Sequence, residues 1–471
     1  MIKRIIWPVA IILLMASTSF ADNAAKSTSD DQTAVEVTVY NSNLGLIKDT
    51  RKVSLPVEKG ELRFMDVAAY IMPVTVHAKS LNHPDDFSVL EQNYEYDLMN
   101  ESKLLDKYVG RNIKILNINQ FQDRKEILDA TLLSNNNGQI YKINDEIYLG
   151  YPGTKILPQI PESLIAKPTL TWLYDNSSQD SHLLEVSYLT GNFNWNADYV
   201  VVLNQSDTQA DVSGWVTIDN KSGATYKNAS LKLVAGQINR AEQRYDNMAF
   251  EGKAMRSAAA PQFAEQSFFE YHIYDLQRKT TIKDNQTKQI SLLEASGVAA
   301  EKEFLVYGQN YYYTGHYRDQ NPKQPVNVYI KFRNTRENHL GMPLPAGVMR
   351  LYKEDADKKL QFIGEDRVEH TPKDEEVKLK IGEAFDVVAE RVQTDFKQLS
   401  NQLYETAWEI TLRNHKDSDI KVGIIEPLIG NWTIVEESHP STKVDAFTAR
   451  FDVDVSKDKE VKVKYRVRVG I

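Results

Sequence analysis

The chain has 471 residues, a formal net charge of -9, 24 tyrosines and no cysteine. An acidic chain lacks the positive surface that binds phosphate backbones, so the composition argues against a nucleic-acid-binding protein. The lack of cysteine excludes Cys nucleophiles, thiolate metal sites and a lipid-modified Cys, and it favours a bacterial envelope protein over a secreted eukaryotic one.

Residues 1–21 predict a secretory signal peptide. Lys3 and Arg4 give a basic start, residues 5–15 are apolar, and Ser-Phe-Ala at 19–21 predicts cleavage after Ala21. The alternative, a membrane anchor, is disfavoured because a spanning helix needs about 20 apolar residues. We therefore expect an exported protein, periplasmic or secreted, with no transmembrane segment after signal cleavage.

Residues 22–33, rich in Ser, Asn, Ala and Asp, predict a flexible linker, and residues 34–164 predict a small β-rich domain. From Val35 the pattern VEVTVY alternates apolar and polar residues, as in a strand with one buried face. One short helix is predicted, capped by Asn100 and ended by Gly110. Its apolar stripe consists of Leu104, Leu105 and Tyr108.

Residues 165–471 predict antiparallel immunoglobulin-like β-sandwich packing, in one module or two, because short strand patterns and turns follow one another closely. Periodicity is lost from 239 to 266, which predicts a mobile loop. Strand patterns then resume and continue to the end. The expected fold class is all-β, with a small N-terminal β domain, sandwich modules and few short helices.

Three Asn residues recur where a strand pattern meets a polar turn: Asn220, Asn334 and Asn414. Asn tolerates left-handed backbone angles, and its side chain can bond its own backbone two residues further on. We therefore interpret these residues as strand-end turn residues rather than as a ligand site.

The last segment, residues 448–471, predicts a β-hairpin. Its two halves both alternate apolar and charged residues, and a loop at 457–459 would place Val455 opposite Val461 and Val453 opposite Val463. Burial of this shared apolar face should contribute far more than the exposed ion pairs on the other face.

Several long segments carry a family resemblance: Glu91–Leu98, Ser187–Leu203, Ser213–Gly236, Pro343–Asp355 and Gly382–Val388. Together and in this order they resemble the secreted bacterial proteins of the domain of unknown function 4139 family (DUF4139), which includes mucoidy inhibitor A-like relatives. The resemblance extends from about Val35 to the C-terminus, and it implies a β-rich, exported protein without an agreed biochemical activity. Some relatives carry a coiled-coil insert after the N-terminal domain. This chain has no heptad run there, so it resembles a short form of the family.

The sequence contains no nucleophile elbow, zinc-protease motif, phosphate-binding loop or dinucleotide-binding fingerprint. The nine His are scattered, and none pair at metal-ligand spacing, so we expect no catalytic residue, cofactor or metal. The alternative is an envelope carbohydrate-active hydrolase that uses paired carboxylates, for example among Asp374, Glu375 and Glu376. Such an enzyme needs two carboxylates facing each other across a cleft, about 5–10 Å apart.

Trp195, Asp198 and Tyr199 allow two interpretations, an aromatic and acidic ligand site or a structural cluster. We favour the structural one, in which Trp195 packs against the opposite sheet, Asp198 bonds a turn and the Tyr199 hydroxyl holds a corner. Trp215, in the strand pattern before Asn220, is also interpreted as structural.

A tyrosine-rich segment supplies the candidate partner or glycan surface: Tyr311, Tyr312, Tyr313 and Tyr317. Exposed Tyr rings offer contact area at low entropy cost. The alternative is a strand with buried Tyr, but three consecutive Tyr cannot all face a one-sided core. We predict a non-catalytic envelope protein with a binding or scaffolding role, whose partner is an envelope protein or a glycan. Dispersed acids and an exposed aromatic strip would favour binding, whereas carboxylates converging with Tyr in one cleft would favour the hydrolase.

The N-terminal pattern predicts that export removes residues 1–21. N-terminal sequencing of the protein from a periplasmic fraction should therefore begin at Asp22. As a control, Ala21→Leu should leave the precursor uncleaved, because the site needs a small residue. A membrane-bound protein that still begins at Met1 would contradict the prediction.

Overall fold

A computed structural model describes residues 24–95, 100–119, 124–160, 167–236, 263–268, 270–317 and 322–471. Strands dominate these residues, which confirms the all-β class with sandwich modules. The predicted signal peptide, the predicted boundary at 164 and residues 239–262 of the predicted loop lie outside the described part. Within that part, no helix has both the length and the apolar character needed to cross a membrane.

The described residues divide into two compact units. Unit 1 takes its residues from 1–36, 46–191 and 222–228, and unit 2 from 37–45, 192–221 and 229–471. The first strands in chain order are β1 (Ala25–Ser27), β2 (Gln32–Tyr40), β3 (Leu44–Val53), β4 (Glu58–Met65), β5 (His77–Ser80), β6 (Phe87–Glu95), β7 (Asn112–Asn119), β8 (Arg124–Ser134), β9 (Ile140–Ile143), β10 (Glu146–Leu149), β11 (Thr154–Ile156), β12 (Thr169–Asn176) and β13 (His182–Gly191). Among the described residues, one α-helix is present, α1 (Glu101–Tyr108), with 3-10 turns at Ser29–Asp31, Pro73–Thr75 and Asn310–Tyr313.

The remaining strands follow in the order β14 (Phe193–Leu203), β15 (Gln209–Asn220), β16 (Tyr226–Ala235), β17 (Phe263–Phe268), β18 (Tyr271–Leu276), β19 (Thr280–Ile282), β20 (Gln286–Tyr307), β21 (Lys323–Gln324), β22 (Asn327–Arg333), β23 (Gly347–Glu354), β24 (Leu360–Val368), β25 (Glu376–Glu383), β26 (Val387–Ser400), β27 (Leu403–Asn414), β28 (Ile420–Pro427), β29 (Asn431–Glu437), β30 (Ser441–Asp445), β31 (Thr448–Val455) and β32 (Glu460–Gly470). Residues 263–266, placed in the predicted loop, belong to β17, so the loop prediction is wrong for them.

Unit 1 contains a four-stranded sheet, β1-β4-β12-β6, and a five-stranded sheet, β10-β9-β8-β7-β11. β1 pairs in parallel with β4, and Thr28 caps the 3-10 turn that follows it. The prediction of a flexible linker is therefore wrong for residues 25–31, because β1 gains backbone partners from a strand that lies later in the chain. β12 pairs with both β4 and β6, so this strand, which follows residue 164, belongs to the N-terminal unit.

The helix α1 confirms the local prediction. The Asn100 side chain accepts a hydrogen bond from Lys103 N at 2.9 Å, which satisfies one free N–H of the first turn. Leu105 and Tyr108 are buried in a core with apolar residues of β7, β8 and β9. Gly110 follows at φ 80°, in the left-handed region where glycine is favoured.

Unit 2 is organised around its longest strand, β20. The first half of β20 pairs with β15, and the second half pairs with β22 and in parallel with β28. Beside β28 lies β31, and these strands oppose the five-stranded sheet β21-β26-β27-β32-β29. The inward side chains of both layers form one core, and we call this part the C-terminal sandwich.

The predicted C-terminal hairpin is wrong. β31 pairs with β28 and β30, whereas β32 pairs with β27 and β29, so the two strands lie in opposite sheets. Their apolar residues do face one core, since Phe451 and Tyr465 have ring centroids 5.2 Å apart and both are buried. The alternation identified the buried faces correctly, but the turn at residues 456–459 crosses between layers instead of reversing within one.

Buried Asn side chains fasten the ends of several strands. Asn414, at the end of β27, donates from Nδ2 to the carbonyls of Ser418, Val455 and Ser456 at 2.9, 3.1 and 3.3 Å. Its Oδ1 accepts from Lys416 N at 3.0 Å, two residues further on. The side chain therefore joins β27 to the end of β31 in the opposite sheet.

The same arrangement recurs elsewhere. Asn334 follows β22 and donates to the carbonyls of Met342 and Pro372 at 2.8 and 2.9 Å. Asn220 ends β15 and donates to Lys283 O at 3.0 Å. All three predicted Asn residues are buried and none has a positive φ, so they hold neighbouring loops rather than supply a left-handed turn. Asn176 at the end of β12 does the same in unit 1 and was not predicted from the sequence.

Replacing Asn414 should test this role. Asn414→Ala leaves three carbonyls without their donor, and we expect a loss of about 2–4 kcal/mol in the free energy of unfolding, since an unsatisfied buried polar group costs about 1–3 kcal/mol. Asn401→Ala, at an exposed turn position, should change it by less than about 0.5 kcal/mol. Urea unfolding followed by near-UV circular dichroism measures both, and equal effects would contradict the assignment.

Candidate functional site

The tyrosine segment packs against the core of the C-terminal sandwich. Tyr311 is 57% exposed, whereas Tyr312 and Tyr313 are only 4% and 0% exposed. The prediction that all four tyrosines form an exposed surface is therefore wrong for Tyr312 and Tyr313. The physical reason is the 3-10 turn Asn310–Tyr313, which turns successive side chains by about 120° and so directs two of three neighbours into the core. Tyr317 is half-buried against the same core.

Below these rings lies a buried ion pair. Arg391 on β26 places Nη2 2.7 Å from Oε1 of Glu426 on β28, and neither side chain has appreciable solvent exposure. This contact is an ion pair whose angles fall outside those of a hydrogen bond. Since β26 and β28 belong to opposite sheets, the pair spans the interior of the sandwich.

Tyrosine hydroxyls complete the environment of the ion pair. Tyr313 donates to Glu426 Oε2 at 2.5 Å, and Arg391 Nη1 donates to the Tyr465 hydroxyl at 3.4 Å. Burial raises the pKa of Tyr313 well above its usual value, so this hydroxyl keeps its proton and remains a donor. Burial alone would lower the pKa of Arg391, but Glu426, Tyr465 and Tyr313 together outweigh this effect and the pKa is raised. A Cβ at Gly308 would lie 2.0 Å from Glu426 Oε2, so a larger residue there would displace the carboxylate.

Tyr312 is held by both stacking and hydrogen bonding. Its ring centroid lies 5.1 Å from that of Trp408, and the Arg391 guanidinium carbon lies 5.2 Å from the Tyr312 ring. Gln324 donates to the Tyr312 hydroxyl at 3.0 Å and accepts from Arg391 Nε at 2.9 Å. The tyrosine segment is therefore fixed to the ion pair by named contacts.

From this base a row of partly exposed rings extends along β26 and β27. We call it the aromatic ledge, and it consists of Tyr311, His316, Tyr317, Phe396 and Tyr404. Tyr311 and Tyr317 have centroids 6.0 Å apart, His316 and Phe396 4.6 Å, and Phe396 and Tyr404 6.1 Å in a stacked arrangement. Gln393 on β26 holds the segment that carries His316 and Tyr317, since it accepts from Tyr317 N at 2.8 Å and donates to Gly315 O at 3.1 Å.

Tyr311 and Tyr317 were predicted from the sequence, whereas Phe396, Tyr404 and the position of His316 were not. A β-bulge between Gln393 and Asp395 shifts the alternation in β26, so the face of Phe396 could not be read from periodicity. The pairing of β26 with β27 brings Phe396 near Tyr404, and no local signal in the sequence encodes that pairing.

The carboxylates of the C-terminal sandwich are held by bases. Glu303 is paired with Lys378 at 2.8 Å and with Arg450 at 2.9 Å. Burial would raise the pKa of Glu303, but these two partners outweigh it and the pKa is lowered. Glu405 is paired with Arg466 and Arg468, and the Arg468 hydrogen bond is the main reason that its pKa is lowered. A general acid of a glycosidase needs a raised pKa, so these groups are arranged as ions.

The acids named as hydrolase candidates, Asp374, Glu375 and Glu376, are exposed where β25 begins. In the same unit, Asp207 pairs with both Lys302 and Lys353, and its pKa is lowered because these partners outweigh its burial. Each of these carboxylates is thus either solvated or neutralised by a base.

The predicted structural residues lie in and beside β14. Trp195 is 1% exposed and donates from Nε1 to Val234 O at 3.2 Å. The Tyr199 hydroxyl donates to Pro345 O at 2.8 Å. Asp198 accepts from the Thr217 hydroxyl at 2.9 Å and from Arg350 at 3.0 Å, so it bonds two neighbouring strands and not a turn.

Trp215 lies half-buried in the middle of β15. Its backbone partner on the neighbouring strand β14 is Asp198.

Unit 1 contains a cavity of about 230 Å³ beside a second buried ion pair. Arg51 Nη2 lies 2.7 Å from Asp49 Oδ2, and Asp49 Oδ1 accepts from Gln32 at 2.8 Å. The Arg51 guanidinium also lies 3.6 Å from the centre of the Phe64 ring. Arg51 and Asp49 are paired with each other and almost fully buried, so they offer little to a ligand. The aromatic ledge is therefore the stronger candidate site.

Comparisons with known proteins provide no further assignment. No family model matches the chain, and no curated protein matches it. The resemblance to the domain of unknown function 4139 family therefore stays a prediction based on the segments quoted above.

The ion pair can be tested by removing one charge. Glu426→Gln leaves Arg391 charged and buried, and we expect a loss of about 3–5 kcal/mol in the free energy of unfolding. The double variant Arg391→Met/Glu426→Gln should recover more than half of that loss, because no unpaired charge remains. Glu436→Gln, whose side chain is 76% exposed and 3.7 Å from Arg466, is the matched control and should be nearly silent. A Glu426→Gln protein as stable as the control would refute the role of the pair.

Proposed function

We propose that this chain is a non-catalytic, exported β-sandwich protein of the bacterial envelope, with a binding or scaffolding role. The observation that carries the proposal is the exposure of Tyr311, at 57%, beside the buried side chains of Tyr312, Tyr313 and Trp408. Its ring lies 5.0 Å from that of Tyr312, which is itself held by Trp408, Gln324 and Arg391.

Rigid support matters for recognition. A side chain that is already held in position loses little conformational entropy when a partner binds, so more of its contact energy contributes to affinity. The Tyr312 hydroxyl and the Gln393 amide hold the segment from both sides. Tyr311 and Tyr317 therefore present their rings to a partner from a pre-organised surface.

Two further observations support binding over hydrolysis. The acids of this unit are dispersed among separate basic partners, as with Glu303, Glu405 and Asp207. The rings form two neighbouring groups, Tyr311 with Tyr317 and His316 with Phe396 and Tyr404, instead of converging with carboxylates in one cleft. Export is supported by the sequence pattern of residues 1–21, and the family resemblance supports an envelope role.

The binding role predicts a selective effect of Tyr311→Ala. We expect that the variant keeps its melting temperature within about 2 °C, because the ring is mostly exposed. It should lose most of the capture of one cross-linked envelope component, identified by mass spectrometry. Tyr70→Ala is the matched control, since Tyr70 is 54% exposed in unit 1.

Equal capture by wild type, Tyr311→Ala and Tyr70→Ala would exclude this surface as the binding site. A large drop in melting temperature for Tyr311→Ala would instead show that the ring serves stability.

A further inference from the structure

The ledge lies on the core-facing side of β26 and β27, where these strands extend past the buried core. Trp408, Thr406 and Tyr404 alternate on this side of β27, and Trp408 and Thr406 are buried. Across the ladder, Phe396 pairs with Thr406 and Gln398 pairs with Tyr404. Phe396, Gln398 and Tyr404 therefore share one face, with Gln398 exposed at its end.

Charged residues occupy the opposite face of the same strands. Asp395 pairs across the ladder with Ala407, and Lys397 pairs with Glu405. Arg466 of β32 lies 2.8 Å from Asp395 and 3.3 Å from Glu405. In the described segments 395–398 and 404–407, the face with the rings thus offers aromatic, amide and hydroxyl groups, while Asp395, Lys397 and Glu405 lie on the other side.

This separation decides between ligand classes. Among the described residues, the exposed side chains of the ledge and Gln398 carry no Lys, Arg, Asp or Glu charge, and Arg391 on the same side of β26 is buried against Glu426. An anionic polymer or a charged peptide would gain little from these side chains, since such ligands are recognised by complementary charge. A neutral sugar has apolar C–H faces that stack on rings and hydroxyls that bond to amides and phenols. Two groups of rings, with centroid spacings of 4.6 to 6.1 Å inside each group, offer stacking positions to successive units of such a chain.

We infer that the aromatic ledge binds a neutral glycan chain through Tyr311, Tyr317, Phe396 and Tyr404, with Gln398 as a hydrogen-bonding group at one end. The inference rests on the proposed binding role and specifies its ligand. Gln393 is a positioning residue, since its amide bonds Tyr317 N, Gly315 O and the Thr406 hydroxyl.

Affinity electrophoresis of the whole chain tests the inference. Native gels contain a neutral β-glucan, a neutral galactomannan or the anionic polysaccharide alginate, each with and without about 0.5 M salt, which screens exposed charge. At least one neutral polymer should retard the wild type and Tyr70→Ala equally, and salt should leave the retardation unchanged. Tyr404→Ala and Gln398→Ala should weaken it, by about tenfold for the ring, as for truncation of a binding hot spot.

Each other outcome has a definite meaning. Retardation by alginate alone, abolished by salt, overturns the neutral-glycan inference and leaves the binding role. If no polysaccharide retards the protein but capture of an envelope protein depends on Tyr311, the neutral-glycan inference is overturned and the binding role stays. The ledge is then assigned to a protein partner. Loss of both signals overturns the inference and the proposed function together. Gln398→Ala separates a loss of binding from misfolding, because this exposed side chain lies outside the core. The melting temperature of each variant is also compared with that of the wild type.

Discussion

The ion pair between Arg391 and Glu426 is the interaction on which the C-terminal sandwich depends. Two charges withdrawn from water cost several kcal/mol, and their attraction offsets this cost only when other groups complete their hydrogen bonding. Tyr313 donates to Glu426 Oε2, while Tyr465 and Gln324 accept from Arg391 Nη1 and Nε, and the remaining atoms, Arg391 Nη2 and Glu426 Oε1, face each other as the ion pair. Because the two charges come from opposite sheets, the pair can form only when the layers adopt one relative position.

The surface follows from that buried network. Tyr313 bonds to the carboxylate and Tyr312 lies over the guanidinium, so the 3-10 turn that carries both cannot move away from the core. Tyr311, which precedes them in the same turn, is thereby held outside the core with its ring exposed. A polar interior thus positions an aromatic exterior, and the stability of the sandwich is coupled to the geometry of the ledge.

Buried polar groups do similar work elsewhere in the chain. In unit 1, Arg51 and Asp49 satisfy each other beside the cavity, and Asn176 bonds three carbonyls at the end of β12. In unit 2, Asn220, Asn334 and Asn414 fasten loops to strand ends. An apolar core tolerates many packings, whereas a buried amide with several required partners tolerates few, so these residues favour one arrangement of the sheets.

Local signals in the sequence determined much of the secondary structure. The period of two marked the strands and their buried faces, as in Phe451, Val453 and Val463, because side chains alternate along any strand. The cap at Asn100 and the glycine at Gly110 delimited α1, since both act within a few residues. The Asn residues at strand ends were recognised as structural for the same reason.

Only the tertiary structure decided which elements meet. Alternation is the same for a hairpin and for a crossing between two sheets, so β31 and β32 could not be assigned to opposite layers from their residues. The burial of Tyr312 and Tyr313 depends on Arg391 and Glu426, which lie 79 and 113 residues away from them along the chain. The ledge likewise needs a bulge in β26, the pairing with β27 and a segment crossing both. Contacts between residues so distant in the chain leave no local pattern, and folding alone brings them together.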